Sequence, residues 1–302
     1  MGSLYITMEE FMFGRSSGKI DLPSVPATLA RIIQITNSPD ATAEQVAGVV
    51  MLDQSLATKV LRIANSAIYG RRIKAETISD AVVTLGFSAV RNLAASASVI
   101  DALFPRQMFP GFLWQEMWIH SVTAAVSSEV IYSRMCRGGG GEVAFVAGLL
   151  HDVGKLILAR ALPERFRQVV EACRDYNFTM SQAERNLLST DHAKVGGELA
   201  EQWSFPEKLR DGITFHHNPG EAYGNEDLAR AVNAANLLAK RMSRNYIVGV
   251  SVEISLKDVA DAAGLMVGDM DFIVNQVRER MRQCSEILAW SNTMPGAAHL
   301  AA

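Results

Sequence analysis

Cysteine is scarce in this chain of 302 residues: Cys136, Cys173 and Cys284 stand apart and form no CxxC pair. That excludes a disulfide framework and fits a reducing cytoplasm. Long apolar runs are missing too, and none reaches the ~18 residues a bilayer span needs. The opening MGSLYITMEEFMFG lacks the basic and apolar regions of a signal peptide. Ile6 stands where a myristoylation signal requires Ser or Thr. A soluble cytoplasmic protein with no membrane partner is expected. Nor is there an excess of positive charge: 29 Lys and Arg against 32 Asp and Glu give a net charge of −3 and a pI near 6.1. Broad binding to nucleic acid is therefore not expected, and only a local basic patch could support it. Strand-like alternation is nearly absent, and no repeat or low-complexity block occurs.

What is present is helical periodicity. Hydrophobic residues make up 49% of the chain and charged residues 20%, the balance of a globular protein with a large core. The fold class is all-α. After a lead-in over 1–19, Pro26 opens a segment presenting Leu29, Ile32, Ile33 and Thr36, which Asn37 to Asp40 end. Thr42 with Gln45 forms a capping-box pattern ahead of Val46, Val49 and Val50. A third helix follows Asp53 with Leu56, Val60, Leu61 and Ile63, and two short helices meet at Gly86. Two prolines and a glycine between Phe104 and Gly111 break the pattern, which places a lobe boundary there. The expected division is a helical N-terminal lobe over 20–110, a helical bundle over 111–290 and a tail over 291–302. In the bundle, helices are expected near 114–135, across the His-Asp stretch, and near 163–175, 180–188, 192–203, 206–217, 226–243, 255–263 and 270–290.

The stretch GLLHDVGKLIL (148–158) sets an imidazole, a carboxylate and an ammonium inside aliphatic sequence. On one continuous helix, Phe145, Leu149, Val153, Leu156 and Ile157 share a core face. The other side carries His151, Asp152 and Lys155 among Ala147, Gly148, Gly154 and Leu158. A solvated face would not carry two glycines and a leucine, so the polar trio is expected in the interior. Interior charges are costly unless paired or bound to metal. One account is an Asp152–Lys155 salt bridge with His151 hydrogen-bonded beside it.

The other histidines point to a second account. His120, His151, His192, His216 and His217 all lie in the second lobe, none precedes residue 120, and only His299 falls in the tail. His120 sits in an apolar helix, His192 opens a helix that Thr190 or Asp191 could cap, and His216 and His217 close the apolar segment GITFHH before Asn218-Pro219. Neutral imidazole is the commonest ligand for transition metals, and a neighbouring carboxylate suits iron, manganese or zinc. The candidate metal ligands are His120, His151, Asp152, His192, His216 and His217.

These residues resemble the HD superfamily of metal-dependent phosphohydrolases, whose pattern is an early His, a buried His-Asp pair and a late Asp. His120 matches the early His, His151 and Asp152 the pair, and Lys155 the lysine of the HDxGK motif of the HD-GYP branch. His192, His216 and His217 resemble that branch's additional ligands, which hold two or three metals. The whole chain more closely resembles the HDOD family, a regulatory relative in bacterial signalling. LPSVPATLARIIQITNSPDATAEQVAGVVMLDQSLATKVLRIANSAIYG (22–70) and ISDAVVTLGFSAVRNLA (78–94) carry that resemblance, which covers about 20–240. It implies an HDOD-like N-terminal lobe packed on an HD-like bundle. Two departures stand out. The helix LARAVNAANLLAK contains no acid between Leu228 and Lys240, so Asn233 or Asn236 stands where the late Asp is expected. HHNPGEAYG replaces the GYP motif of enzymes acting on cyclic di-GMP.

AVVTLGFSAVRNLA (81–94) also has helix-turn-helix spacing. Its second helix offers only Arg91 and Asn92 as base-reading side chains, so a packed hairpin is the better account. The RRIK cluster at 71–74 reads as a solvated loop. The methionines and the aromatics Phe112, Trp114 and Trp118 read as core filling. The expectation is a regulatory or scaffold module working through protein partners, with a mono- or binuclear divalent-metal site, iron first. A nucleotide or phosphate could bind at that site. The alternatives are a phosphohydrolase, in which a metal-activated water attacks a phosphate ester held by Lys155, and a DNA-binding regulator through 81–94.

Overall fold

The computed structural model describes residues 20–36, 38, 40–65, 75–87, 90, 91, 93, 94, 97, 111–136 and 140–283. The lead-in, the RRIK cluster, the break at 104–110, Asn92 and the tail lie outside the described residues. Among those described the chain is helical, with one isolated antiparallel bridge between Phe112 and Ile247.

The N-terminal helices are α1 (Ala27–Thr36), α2 (Ala43–Val50), α3 (Gln54–Ala64) and α4 (Ile78–Leu85). The Thr42–Gln45 capping box forms in both directions, and a second box, Thr77–Asp80, starts α4. Each side chain there satisfies a backbone donor that the first helical turn leaves free. Leu29, Ile32, Val46, Val50, Val60, Ala81 and Val82 form this lobe's core. Gly86 turns the chain at a φ of 87°, a left-handed value that suits glycine. Beyond it Val90, Leu93, Ala94 and Ala97 are fully buried, so the face compared above with a recognition helix packs inward.

The bundle begins with α5 (Trp114–Met135), which packs against α6 (Gly141–Leu150) and α12 (Glu226–Met242). Between them come α7 (Val153–Ala161), α8 (Pro163–Tyr176), α9 (Met180–Leu188), α10 (His192–Gln202) and α11 (Glu207–Thr214). The last two are α13 (Leu256–Ala263) and α14 (Met270–Gln283). Pro163 opens α8, and capping boxes at Thr179–Gln182 and Ser255–Asp258 open α9 and α13. The segment after α12 folds back: Leu113 N–H donates to the Tyr246 carbonyl at 2.7 Å and Val248 N–H to that of Gly111 at 3.0 Å. The N-terminal lobe is tied to the bundle where Trp203 Nε1 and Gln202 Nε2 donate to the Pro23 carbonyl, at 3.0 and 3.2 Å.

Two expectations are corrected. The His-Asp stretch is not one helix: α6 ends at Leu150, α7 starts at Val153, and His151 and Asp152 form the turn between them. Asp152 takes φ −98° and ψ 9°, and the Gly148 carbonyl accepts from the His151 ring at 2.7 Å. The segment near 206–217 stops at Thr214, so His216 and His217 lie in a turn past the helix. There His216 Nδ1 satisfies the Ile213 carbonyl, one of the acceptors a helix end exposes.

The two glycines of the His-Asp stretch are contact points. A Cβ on Gly148 would lie 2.7 Å from the Ala124 carbonyl of α5, and one on Gly154 would overlap the His192 carbonyl. We expect Gly154→Ala to lower stability by roughly 1–3 kcal/mol, the usual cost of overpacking. Denaturant unfolding checks this, and an unchanged midpoint would mean that α7 and α10 are not held this closely.

Candidate metal centre

The structure brings the six expected ligands together. Their potential donor atoms fall into two groups, His120–His151–Asp152 and His192–His216–His217, each with its atoms within 4.8 Å of one another. Asp152 belongs to the first and reaches His192 of the second. Its Oδ2 lies 3.4 Å from His151 Nε2 and 3.6 Å from His120 Nε2, and its Oδ1 lies 3.2 Å from His192 Nε2. The groups also meet ring to ring, His151 and His216 at 5.0 Å between centroids. α5 supplies His120, the α6–α7 turn supplies His151 and Asp152, α10 begins with His192, and the turn after α11 supplies His216 and His217. Asp191 caps α10, accepting from Lys194 N–H at 3.0 Å.

The partners of the rings fix which nitrogens remain available. His151 Nδ1 donates to the Gly148 carbonyl and His216 Nδ1 to the Ile213 carbonyl, both at 2.7 Å. A carbonyl only accepts, so each Nδ1 carries a proton and Nε2 is the nitrogen left to ligate; it is without a partner in His216 and lies 3.4 Å from His120 Nε2 in His151. His192 Nδ1 lies 2.5 Å from Glu184 Oε2, which also accepts the His192 backbone N–H at 2.9 Å. An imidazole oriented by a carboxylate behind it is a recurrent arrangement around metals.

Burial sets the charge states. His120 and His216 lie well below the ordinary imidazole range because burial penalises the cation, and burial lowers His217 to about 2. These rings are neutral, the form that metal ligation requires. Burial acts the same way on His192, but Glu184 outweighs it and raises that pKa. Burial opposes the charge on Asp152 as well, yet His151 and Lys155 hold its carboxyl well below the usual range. Lys155 is pushed down by burial and more strongly up by Asp152, so it is an ammonium. The Asp152–Lys155 salt bridge of the simpler account is therefore present, at 2.5 Å, beside the histidines. Lys155 also donates to the Tyr246 hydroxyl at 2.7 Å.

The donor set fits a metal. His216 Nε2 and Asp152 Oδ1 are buried without a hydrogen-bond partner. His192 Nε2 faces Asp152 Oδ1 at 3.2 Å, a position that a proton or a metal ion would fill. Imidazole with one carboxylate suits iron, manganese or zinc. Of the two asparagines, Asn233 Nδ2 donates to the His216 carbonyl at 2.5 Å, so it holds the turn of the His pair. Asn236 is buried with Oδ1 unpartnered.

Three neighbours were missed from sequence. Glu184 is fully buried although charged, and its signal was a place on the apolar side of α9 with Met180, Ala183, Leu187 and Leu188. Lys240 lies on the same side of α12 as Asn233 and Asn236, and burial followed by Lys155 lowers its pKa to about 8. Tyr246 reaches the site only because its loop pairs with residues 111–113, and nothing local marks it.

Two outcomes follow. Glu184→Ala is expected to weaken metal binding roughly 10–100-fold, the usual effect of losing such an orienting group. Equilibrium dialysis checks this, and unchanged affinity would make Glu184 purely structural. Asp152→Ala should cost ~3–5 kcal/mol of stability, because Lys155 is left buried without its counter-ion. An unaltered melting temperature would contradict the burial of this pair.

The HDOD domain family matches residues 22–219. An HDOD domain protein of unknown function from Geobacter sulfurreducens is 28% identical, with a TM-score of 0.67 over 95% of this chain and 96% of its own. A candidate signal transduction protein from Marinobacter aquaeolei VT8 is 29% identical, with a TM-score of 0.68 over 90% of this chain and 60% of its own. A candidate phosphohydrolase from Shewanella amazonensis SB2B is 26% identical, with a TM-score of 0.67 over 87% and 94%. An uncharacterised protein from Treponema pallidum is 25% identical over 198 residues, which are 66% of this chain and only 38% of that protein. With the N-terminal helices and all six candidate ligands inside the matched span, the chain belongs to the HDOD family.

Proposed function

We propose that this chain is a regulatory or scaffold module of bacterial signal transduction, working through protein partners in the cytoplasm, with a divalent metal held in its bundle. Iron is our first choice and manganese or zinc the alternatives, for a donor set of imidazoles and one carboxylate. The observation that carries the non-catalytic reading is the state of Asp152. It is the only acid in the donor set, and one of its oxygens is already paired with the Lys155 ammonium. Where the late acid of the enzymes stands, Asn236 offers a neutral amide.

Charge balance supports this. Around the donors, Asp152 and Glu184 are offset by Lys155 and Lys240, so little negative charge is left for two divalent ions. A nucleotide or phosphate binding at the metal would bring the missing charge, which suits a sensing role. Hydrolysis would also require Lys155 to hold the phosphate. Its Nζ is instead engaged by Asp152 and Tyr246 in a residue only 2% exposed. The Marinobacter relative's signalling name agrees with this reading, and the Shewanella relative's name favours the phosphohydrolase alternative. DNA binding through 81–94 is the weakest reading, because that helix buries Val90, Leu93, Ala94 and Ala97.

Elemental analysis of purified protein, after supplementation with iron, manganese or zinc, should find bound metal, and less than roughly a tenth of an equivalent would overturn the metal reading. Hydrolysis of cyclic di-GMP and simple phosphodiesters should be absent or very weak, because the acids that fix metals and a nucleophilic water are incomplete. The comparison is wild type against Asn236→Asp and Asn233→Asp. Brisk metal-dependent turnover by the wild type, abolished in His151→Ala, would make the enzyme reading correct.

A further inference from the structure

The two donor groups are not equivalent, and their differences decide which of them takes the ion. We propose that the metal sits at His192, His216, His217 and Asp152 Oδ1, and that the position at His120, His151 and Asp152 Oδ2 is filled by the protein's own cation, the Lys155 ammonium. This rests on the metal reading above and makes the centre mononuclear.

At the first group two donors are unpaired and the others are aimed at one another. Asp152 Oδ1 and His216 Nε2 have no hydrogen-bond partner, although both are buried. Glu184 grips His192 by its ring and its backbone N–H, which points Nε2 at Asp152 Oδ1 and places a carboxylate directly behind a ligand. Asn233 ties down the His216 carbonyl. His217 Nε2 lies 3.0 Å from His192 Nε2, and His217 is only partly buried, which gives an ion a route from solvent.

At the second group the acid is already used. Lys155 Nζ lies 2.5 Å from Asp152 Oδ2, nearer than either imidazole of that group. Lys155 is fixed there by the Tyr246 hydroxyl at 2.7 Å, and its Nζ lies 4.9 Å from the Tyr246 ring centroid. Tyr246 is in turn fastened through its carbonyl to Leu113 and packs edge-on against His120. A dication at Oδ2 would have to displace this ammonium or sit beside it in the interior, where like charges are poorly screened. Asn233 and Asn236, which stand where the resemblance expects the late acid, supply no charge against that repulsion.

The test is metal stoichiometry and affinity on the full chain, with cobalt(II) or zinc(II) alone as the probe and unfolding curves as the control for folding. The wild type should bind one equivalent. His217→Gln, at a partly buried position that should tolerate the change, and His216→Ala should each weaken binding by roughly tenfold or more, the scale on which altered ligand sets act. His120→Ala should still bind one equivalent, with affinity within about threefold of wild type. Folded Lys155→Met should admit a second equivalent. Two equivalents in the wild type, or His120→Ala losing as much affinity as His217→Gln, would overturn the assignment and leave the metal reading intact. A folded Lys155→Met that still binds one would remove Lys155 as the excluding charge. No metal on the wild type would overturn both readings.

Discussion

The bundle depends on one buried carboxylate. Asp152 sits at the junction of α6 and α7, and its two oxygens face different neighbours: Lys155, His120 and His151 on one side and His192 on the other. An isolated carboxylate in such a place would protonate or destabilise the fold. It remains charged because the Lys155 ammonium pairs with it and the His151 and His192 rings lie against it. Four separate parts of the chain therefore converge on it: α5, the α6–α7 turn, the start of α10 and the turn after α11.

Backbone contact makes the convergence possible. Gly148 lets α6 approach the Ala124 carbonyl, and Gly154 lets α7 meet the backbone of His192. Gly197, farther along α10, leaves room for the Thr214 side chain at the end of α11. With side chains at these points the imidazoles would be pushed apart by more than a ligand bond tolerates, since such bonds are only ~2.0–2.2 Å. The aliphatic residues supply the cohesion, and the glycines set the distances. The trade is visible in the His-Asp stretch, where helix continuity is given up for a turn that lets His151 bond back to Gly148.

Relatives named for signalling and for phosphate hydrolysis share this fold. The imidazoles are held by close packing and by carbonyl or carboxylate partners for the Nδ1 atoms of His151, His192 and His216. Hydrolysis needs more: enough anionic ligands for the ions and a lysine free to meet phosphate. Here the scaffold is complete, Lys155 is committed to Asp152 and Tyr246, and Asn236 brings no charge. In the interior, where charges are poorly screened, one acid more or less changes the balance of such a site steeply.

By itself the sequence determined the all-α class and most helix limits, because those are local properties. α5, α9, α10 and α12 begin where their periodicity and caps place them, and the Thr42–Gln45 box formed as its spacing implies. Burial of His151, Asp152 and Lys155 was legible too, since glycine and leucine around them left no solvated face. The breaks at His151–Asp152 and after Thr214 were not legible, because periodicity continues through both and the turns are held by ring-to-carbonyl bonds. The bond from Asn233 to the His216 carbonyl likewise needed a partner distant in sequence. Glu184 left a faint mark as an acid on an apolar face, and Tyr246 left none. Tertiary structure alone decided which atoms meet, because donor groups on helices tens of residues apart are positioned by packing, and packing distances are not written in any local pattern.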